Sequence, residues 1–252
     1  MLRPELLRLA TMRIAIFGDV HGNIAALEAV MQDIETQHPD RVYCLGDLVG
    51  YAPFPNEVIE RVRDAEIPTV MGNYDDGVGF DRDECGCAYK DPVDRELGQQ
   101  SLEWTKVHIT PRNKAFLQTL QAQIRFNEGE KRILLVHGSP RRMNEYLFED
   151  RPLSSFEHLA RTSDAEVIAF GHTHRPYLKA VGGVMFINAG SVGKPKDHDP
   201  RACYVMLDTS TAPHRVDFHR IQYDVASTAA AIRASELPDK FALDVELGGA
   251  PT

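Results

Sequence analysis

Seven residues of metal-binding type each follow closely on an apolar run: Asp19, His21, Asp47, Asn73, His137, His172 and His174. Two carboxylates, one amide and four imidazoles make a mixed oxygen and nitrogen donor set. Such a set suits Mn, Fe, Co, Ni or Zn better than Ca or Mg, which prefer oxygen shells. Seven ligands are too many for one tetrahedral ion. They are a natural number for two ions that share one bridging carboxylate. Each piece alone is weak, because Gly-Asp often marks only a turn or a helix cap and His-x-His arises by accident. Their order and their flanking glycines carry the signal.

The runs that precede them read as strands of a parallel sheet. Arg13–Phe17 ends in Gly18-Asp19, Val42–Leu45 in Gly46-Asp47, and Ile67–Met71 in Gly72-Asn73. Between them, Asn23 caps a helix through Gln37 with Ile24, Leu27, Val30, Met31 and Ile34 at helical spacing, and Pro55–Ala65 reads as a second helix. Strand and helix in alternation predict right-handed crossovers, with ligands at the C-terminal strand edge. The second half repeats the pattern. Ile133–Val136 ends in His137-Gly138 and Val167–Phe170 in Gly171-His172-Thr173-His174. Tyr177–Val181 and Val184–Ile187 flank Gly182-Gly183, a two-residue hairpin signal. Strands Cys203–Leu207 and Val216–Ile221 and a helix from about Ser227 follow, and the Gly-Gly-Ala-Pro end reads as frayed.

Between the halves, helices near Arg95–His108 and Pro111–Leu120 follow an insertion from Asp75 to Gly98 that carries eight acidic and three basic residues. It reads either as a solvated loop or as a cap beside the strand-end residues. Cys85-Gly-Cys87 within it is a weak metal or redox signal, more simply a loop-packing element. Residues 1–11 read as an over-extended start or a loose arm, and residues 12–252 as a single domain.

Composition narrows the partners. The 252 residues include 28 Lys and Arg against 37 Asp and Glu, a net charge of −9, with 43% hydrophobic residues. That is enough apolar material for a sizeable core. The acidic balance argues against gripping a polynucleotide by charge, while leaving room for a small anionic substrate at one site. No run approaches the roughly 18 apolar residues that span a bilayer, and the start lacks the features of a signal peptide. Four cysteines in this length suit a reduced cytoplasm. No feature of the sequence specifies an oligomeric state.

Gly18-Asp19-Val20-His21-Gly22-Asn23, Gly46-Asp47-Leu48-Val49-Gly50, Gly72-Asn73-Tyr74-Asp75, His137-Gly138 and Gly171-His172-Thr173-His174 resemble the five motifs of the calcineurin-like metallophosphoesterases. The Asn188–Pro195 run is similar to a loop of the small bacterial and archaeal branch, which includes phosphodiesterases and diadenosine-tetraphosphatase-like proteins. The resemblance implies an α/β fold, a four-layer α/β/β/α sandwich with two mixed sheets. It implies a first metal on Asp19, His21, Asp47 and His174, and a second on Asp47, Asn73, His137 and His172. It also implies a hydroxide bridging two divalent transition-metal ions as nucleophile, since one metal can bring the pKa of water from about 15.7 to about 7. Two divalent cations would outweigh Asp19 and Asp47, making a positive spot that the net charge does not display.

One position departs from the family pattern. Its third motif often carries a His after the Asn, implied to assist the leaving group, and here that position is Tyr74. A leaving alkoxide then depends on a metal-bound water, on Tyr74 itself or on another residue. The expected substrates are accordingly diesters, aryl esters or phosphoanhydrides, possessed of better leaving groups than alkyl monoesters, with a nucleotide as the natural small molecule. Lys194, His198 and Arg201, with Lys196, form a basic cluster that reads as a surface loop or as a phosphate-recognising group, to which Arg141 and Arg142 could add. Two other functions compete. A Ser/Thr-type protein phosphatase is disfavoured by Tyr74. A non-catalytic scaffold, like the retromer subunit that resembles this family, is disfavoured by ligand-type residues at all seven positions.

Overall fold

The computed structural model describes residues 12–87, 91–129, 131–211 and 213–249. The arm expected at residues 1–11 and the last three residues lie outside them. Two sheets form the centre. The first has the order β2 (Arg41–Cys44), β1 (Arg13–Phe17), β8 (Ala202–Asp208), β9 (Arg215–Ile221). The second has the order β3 (Gln123–Glu128), β4 (Lys131–Val136), β5 (Val167–Phe170), β7 (Val184–Asn188), β6 (Tyr177–Val181). Both are mixed: β1–β2, β4–β5 and β5–β7 are parallel pairs, and the other pairs are antiparallel.

The alternation of side chains along these strands creates the layers. Ile14 and Ile16 of β1 and Val205 and Leu207 of β8 face Ile133 and Leu135 of β4, Val167 and Ala169 of β5, and Ile187 of β7. The intervening residues Ala15, Phe17, Tyr204 and Met206 pack under α1 (Ile24–Gln37), α2 (Pro55–Asp64), α7 (Val225–Ala234) and α8 (Asp239–Leu247). On the far side Leu134, Ile168, Phe170 and Phe186 pack under Phe156 and Leu159 of α6 (Leu153–Thr162). A one-residue slip of β1 would exchange its two apolar faces, each matched to a different layer. The α/β sandwich implied by the resemblance is the fold observed.

Several elements differ from the sequence reading. The third strand, expected over Ile67–Met71, is reduced to two single bridges, Cys44 with Thr69 and Val70 with Gln121. Val70 N–H donates to Cys44 O, but the next donor on that side, Gly72 N–H, is taken by Asp75 Oδ2 at 2.9 Å. The ladder cannot extend. Both ends of the acidic insertion are helical, in α3 (Asn73–Gly79) and in α4 (Pro92–His108), which α5 (Pro111–Leu117) follows. The C-terminal glycines are structured: Gly248 closes α8 in the left-handed region with φ 66°, and Gly249 N–H donates to Asp244 O. Gly182 and Gly183, with φ 59° and 81°, form the expected hairpin turn between β6 and β7.

Candidate metal centre

The seven strand-end residues meet where the C-terminal edges of the two sheets come together. Asp19 and His21 follow β1, Asp47 follows β2, His137 follows β4, and His172 and His174 follow β5; Asn73 opens α3. All seven are buried, none more than 3% exposed. Five of them hold the left-handed backbone region: Asp19 at φ 50°, His21 at 51°, Asp47 at 53°, His172 at 65° and His174 at 59°. Non-glycine residues there are strained by about 1–3 kcal/mol each, a cost that surrounding packing must hold in place. The strain turns each chain sharply at the strand end and aims consecutive polar side chains into one space.

Two subclusters result, Asp19 with His21 and His174, and Asp47 with His137 and His172. In the first, His174 Nε2 lies 3.1 Å from His21 Nε2 and 3.3 Å from Asp19 Oδ1. In the second, His137 Nε2 lies 3.2 Å from His172 Nδ1 and 3.0 Å from Asn73 Oδ1. Asp47 Oδ2 stands between them, 3.6 Å from His21 Nε2 and 3.4 Å from His137 Nε2. Ligand bonds of roughly 2.0–2.2 Å place neighbouring donor atoms about 3.0–3.5 Å apart, so these spacings fit coordination to a common ion.

The tautomers support the same fit. His21 Nδ1 donates to Val49 O at 3.0 Å, His137 Nδ1 to Leu45 O at 2.8 Å and His174 Nδ1 to Lys194 O at 2.5 Å. A ring that spends its N–H on a carbonyl presents a bare lone pair at Nε2, the arrangement that orients metal-binding histidines. Burial holds His21 at about 3 and His172 and His174 well below the ordinary imidazole value, so all three are neutral donors. Burial would lower His137 too, but Asp47 and then Asp19 outweigh it and raise it to about 10. The two buried carboxylates therefore call for positive charge at this spot, and divalent cations would answer it. Glycines give the carboxylates room. A Cβ on Gly72 would sit 2.1 Å from Asp47 Oδ1, and one on Gly171 would sit 2.2 Å from Asp19 Oδ2.

Tyr74 touches this centre through its backbone, whose N–H donates to Asp47 Oδ1 at 2.8 Å. Its buried hydroxyl donates to Gly98 O at 3.2 Å. Beside the centre a cavity of about 460 Å3 is walled by Tyr51, whose ring is 4.9 Å from that of His21, and by Tyr146, whose ring is 4.1 Å from that of His172. Of the basic residues singled out from the sequence, this cavity takes Lys196 and Lys194, the latter paired with Asp244 at 2.6 Å. His198, Arg201 and Arg141 do not line it. Arg201 forms an ion pair with Asp199, Arg141 forms one with Glu145, and His198 N–H binds Gly248 O. The basic cluster is thus drawn apart by its own local partners.

Sequence reasoning passed over Arg175 and left Lys196 in a supporting place, yet both line the cavity. Arg175 directly follows His174, a signal that adjacency could have supplied. The insertion reaches the centre as well: Asp91, Asp94, Leu97 and Gly98 line the same cavity, and Asn73 Nδ2 donates to Cys87 Sγ at 3.2 Å. Cys87 Sγ is itself 3.0 Å from Cys85 Sγ.

Comparison with known proteins points the same way. Residues 12–212 match the calcineurin-like phosphoesterase superfamily domain. An uncharacterised protein of Methanocaldococcus jannaschii, MJ0912, is 31% identical over 245 residues, covering 90% of this chain and 94% of the relative. The crystal structure of a metallophosphoesterase from Sphaerobacter thermophilus superposes with a TM-score of 0.73 at 31% identity, covering 94% of this chain and 99% of that one. Phosphodiesterase YfcE of Escherichia coli is 26% identical over 197 residues, 78% of this chain and 88% of the relative.

Proposed function

Because the chain belongs to the calcineurin-like phosphoesterase superfamily and is a metal-dependent phosphoester hydrolase, we propose that it cleaves phosphodiester or phosphoanhydride bonds in a small phosphorylated substrate such as a nucleotide. The observation that carries this reading is Asp47 Oδ2, set within 3.6 Å of one subcluster and 3.4 Å of the other. A shared carboxylate is what a two-ion centre needs. Asp19, His21, Asp47 and His174 would hold one ion, and Asp47, Asn73, His137 and His172 the other. When bound, a pair of Mn, Fe, Co, Ni or Zn ions supplies Lewis acidity to the phosphoryl oxygens and acidifies the attacking water.

The chain's own groups do the rest. The carbonyls of Val49, Leu45 and Lys194 lock three imidazoles in orientation. Arg175 and Lys196 attract the anion into the cavity, and Tyr51, Tyr146 and Phe241 restrict water around it. No helix of the described residues is long and apolar enough to cross a membrane. We place the reaction in the reducing cytoplasm on the sparse cysteines. Metal analysis combined with hydrolysis of bis-p-nitrophenyl phosphate tests the proposal. Two metals per chain and turnover are expected; less than one metal per chain, with no hydrolysis in added Mn, would refute it.

A further inference from the structure

Tyr74 leaves the third motif without a histidine to protonate a departing oxygen, and among the described residues no histidine lines the cavity beside the centre. The wall carries cations instead. Lys194 and Lys240 share the Asp244 carboxylate. Arg175 and Lys196 differ, since neither forms an ion pair among the described residues. Three bonds zip the chain after β5 to the chain after β7 and fix their place. His174 Nδ1 donates to Lys194 O at 2.5 Å, Lys196 N–H to His174 O at 3.3 Å, and Arg175 Nε–H to Lys196 O at 3.0 Å. Two cations are thereby held on one wall, next to the candidate ligand His174. Asp91 and Asp94, at the start of α4, line the same cavity. A polyanion is therefore drawn to the Arg175 and Lys196 wall and repelled from α4.

We propose that Arg175 and Lys196 form a second phosphate site, which makes the substrate a phosphoanhydride: the phosphoryl group under attack lies at the Asp47 centre, and the phosphoryl group that departs lies on these two cations. The inference rests on the phosphoesterase reading above and chooses between the two bond types which that reading leaves open. An alkoxide must gain a proton as it leaves. A departing phosphate need not, because its second pKa is about 6 and it persists as the dianion at neutral pH. It needs positive charge where its own charge grows, and cations fixed in advance supply that without reorganising. In the step, a water oxygen bonds to one phosphorus, and the bond from that phosphorus to the bridging oxygen breaks with its electron pair passing to that oxygen. The second phosphate leaves with the bridging oxygen, and the protons of the water pass to product phosphate and to solvent. Arg175 commits Nε–H to Lys196 O and keeps its terminal N–H groups for phosphate oxygens, beside the point charge of Lys196. The cavity, about 460 Å3, is of a size for such a ligand.

The two bond types can be compared on one nucleoside. Thymidine 5′-diphosphate carries a second phosphate where the p-nitrophenyl ester of thymidine 5′-monophosphate carries an uncharged aryl group. kcat/KM on both, together with metal content, should be measured for Mn-loaded wild type, Arg175→Gln, Lys196→Gln and Lys196→Arg. Both glutamine variants should lose activity on both substrates, because either cation attracts any anion. The ratio of the diphosphate to the ester should nevertheless fall ~10–100-fold in each, the effect of one charge-assisted hydrogen bond. Lys196→Arg should keep most of that ratio, since it keeps the charge. A ratio unchanged in both glutamine variants, or a fall accounted for by lost metal, would overturn the second phosphate site. So would a wild type that hydrolyses the ester and not the diphosphate. In each of these cases turnover of the ester leaves the phosphoesterase reading standing. A wild type inactive on both substrates would overturn both.

Discussion

The Asp75 carboxylate accepts the backbone N–H of Asp47 at 2.8 Å, so the acid shared by the two subclusters is seated on a second buried acid. Asp75 also accepts the N–H groups of Leu48 at 2.9 Å and Gly72 at 2.9 Å. It ties together the loop after β2 and the start of α3, which deliver Asp47 and Asn73. Asp75→Asn preserves the shape but turns an amide N–H2 against one set of donors. The expected result is a 10–100-fold weaker hold on metal, the usual effect of losing a ligand's supporting partner. Competition with a chelating dye measures it, and an unchanged affinity would show that Asp75 only shapes the fold.

Asp47 itself is the position where one change should empty both halves. Asp47→Asn replaces the oxygen facing His21 and His137 with a neutral amide and leaves the Asp19 charge alone. Metal content should fall from two per chain toward zero. kcat/KM on bis-p-nitrophenyl phosphate should drop by at least ~100-fold, roughly 2.7 kcal/mol of barrier. Retained activity in this variant would refute the bridging role.

Gly171→Ala separates the first subcluster from the second. Its added Cβ would lie 2.2 Å from Asp19 Oδ2, and the carboxylate cannot retreat easily because its two oxygens accept the His172 N–H at 3.2 and 3.0 Å. Overpacking of this kind costs about 1–3 kcal/mol. One of two bound metals should be lost, with a fall in melting temperature. Gly183→Ala is the control: its φ is 81° but nothing lies within 4 Å of an added Cβ. It should lower stability through backbone strain alone and leave both metals bound.

What the sequence displays and what it conceals follow from different physics. Six of the seven donors follow a strand, all but His174 stand next to a glycine, and parallel strands deliver their C-terminal ends to one edge, which makes the set legible. Elements that bury little escape the reading. β3 alternates exposed and half-buried residues at a sheet edge, and α6 buries only Phe156 and Leu159. Charge is the least legible. Lys194 looks available for phosphate until Asp244, fifty residues away, takes it up at 2.6 Å. The Arg141 pair with Glu145 forms across a turn outside any helix, so its i,i+4 spacing does not announce it. Asn144 Nδ2 donates to Gly86 O at 2.8 Å only because two loops fold over the same edge, which no local pattern encodes.

Glu145 gives a pH dependence that can be tested apart from the metals. Burial works to raise its carboxyl, but Arg141, Ser139 and Arg151 outweigh it and hold it at about 2 against an ordinary 4.5. Its folded value is depressed, so its contribution to stability is fully present above about 4.5. That contribution is lost as pH falls through the interval down to about 2. Glu145→Gln removes the charge at every pH and leaves Arg141 and Arg151 without their shared acceptor. At pH 7 the variant should be less stable by about 2 kcal/mol, typical for hydrogen bonds to a charged group. Urea denaturation of both proteins in chelator, at pH values from 7 down to 3, should show the difference shrinking as the acid is reached. A difference that stays constant across that interval would mean that Glu145 acts by its shape and not by its charge.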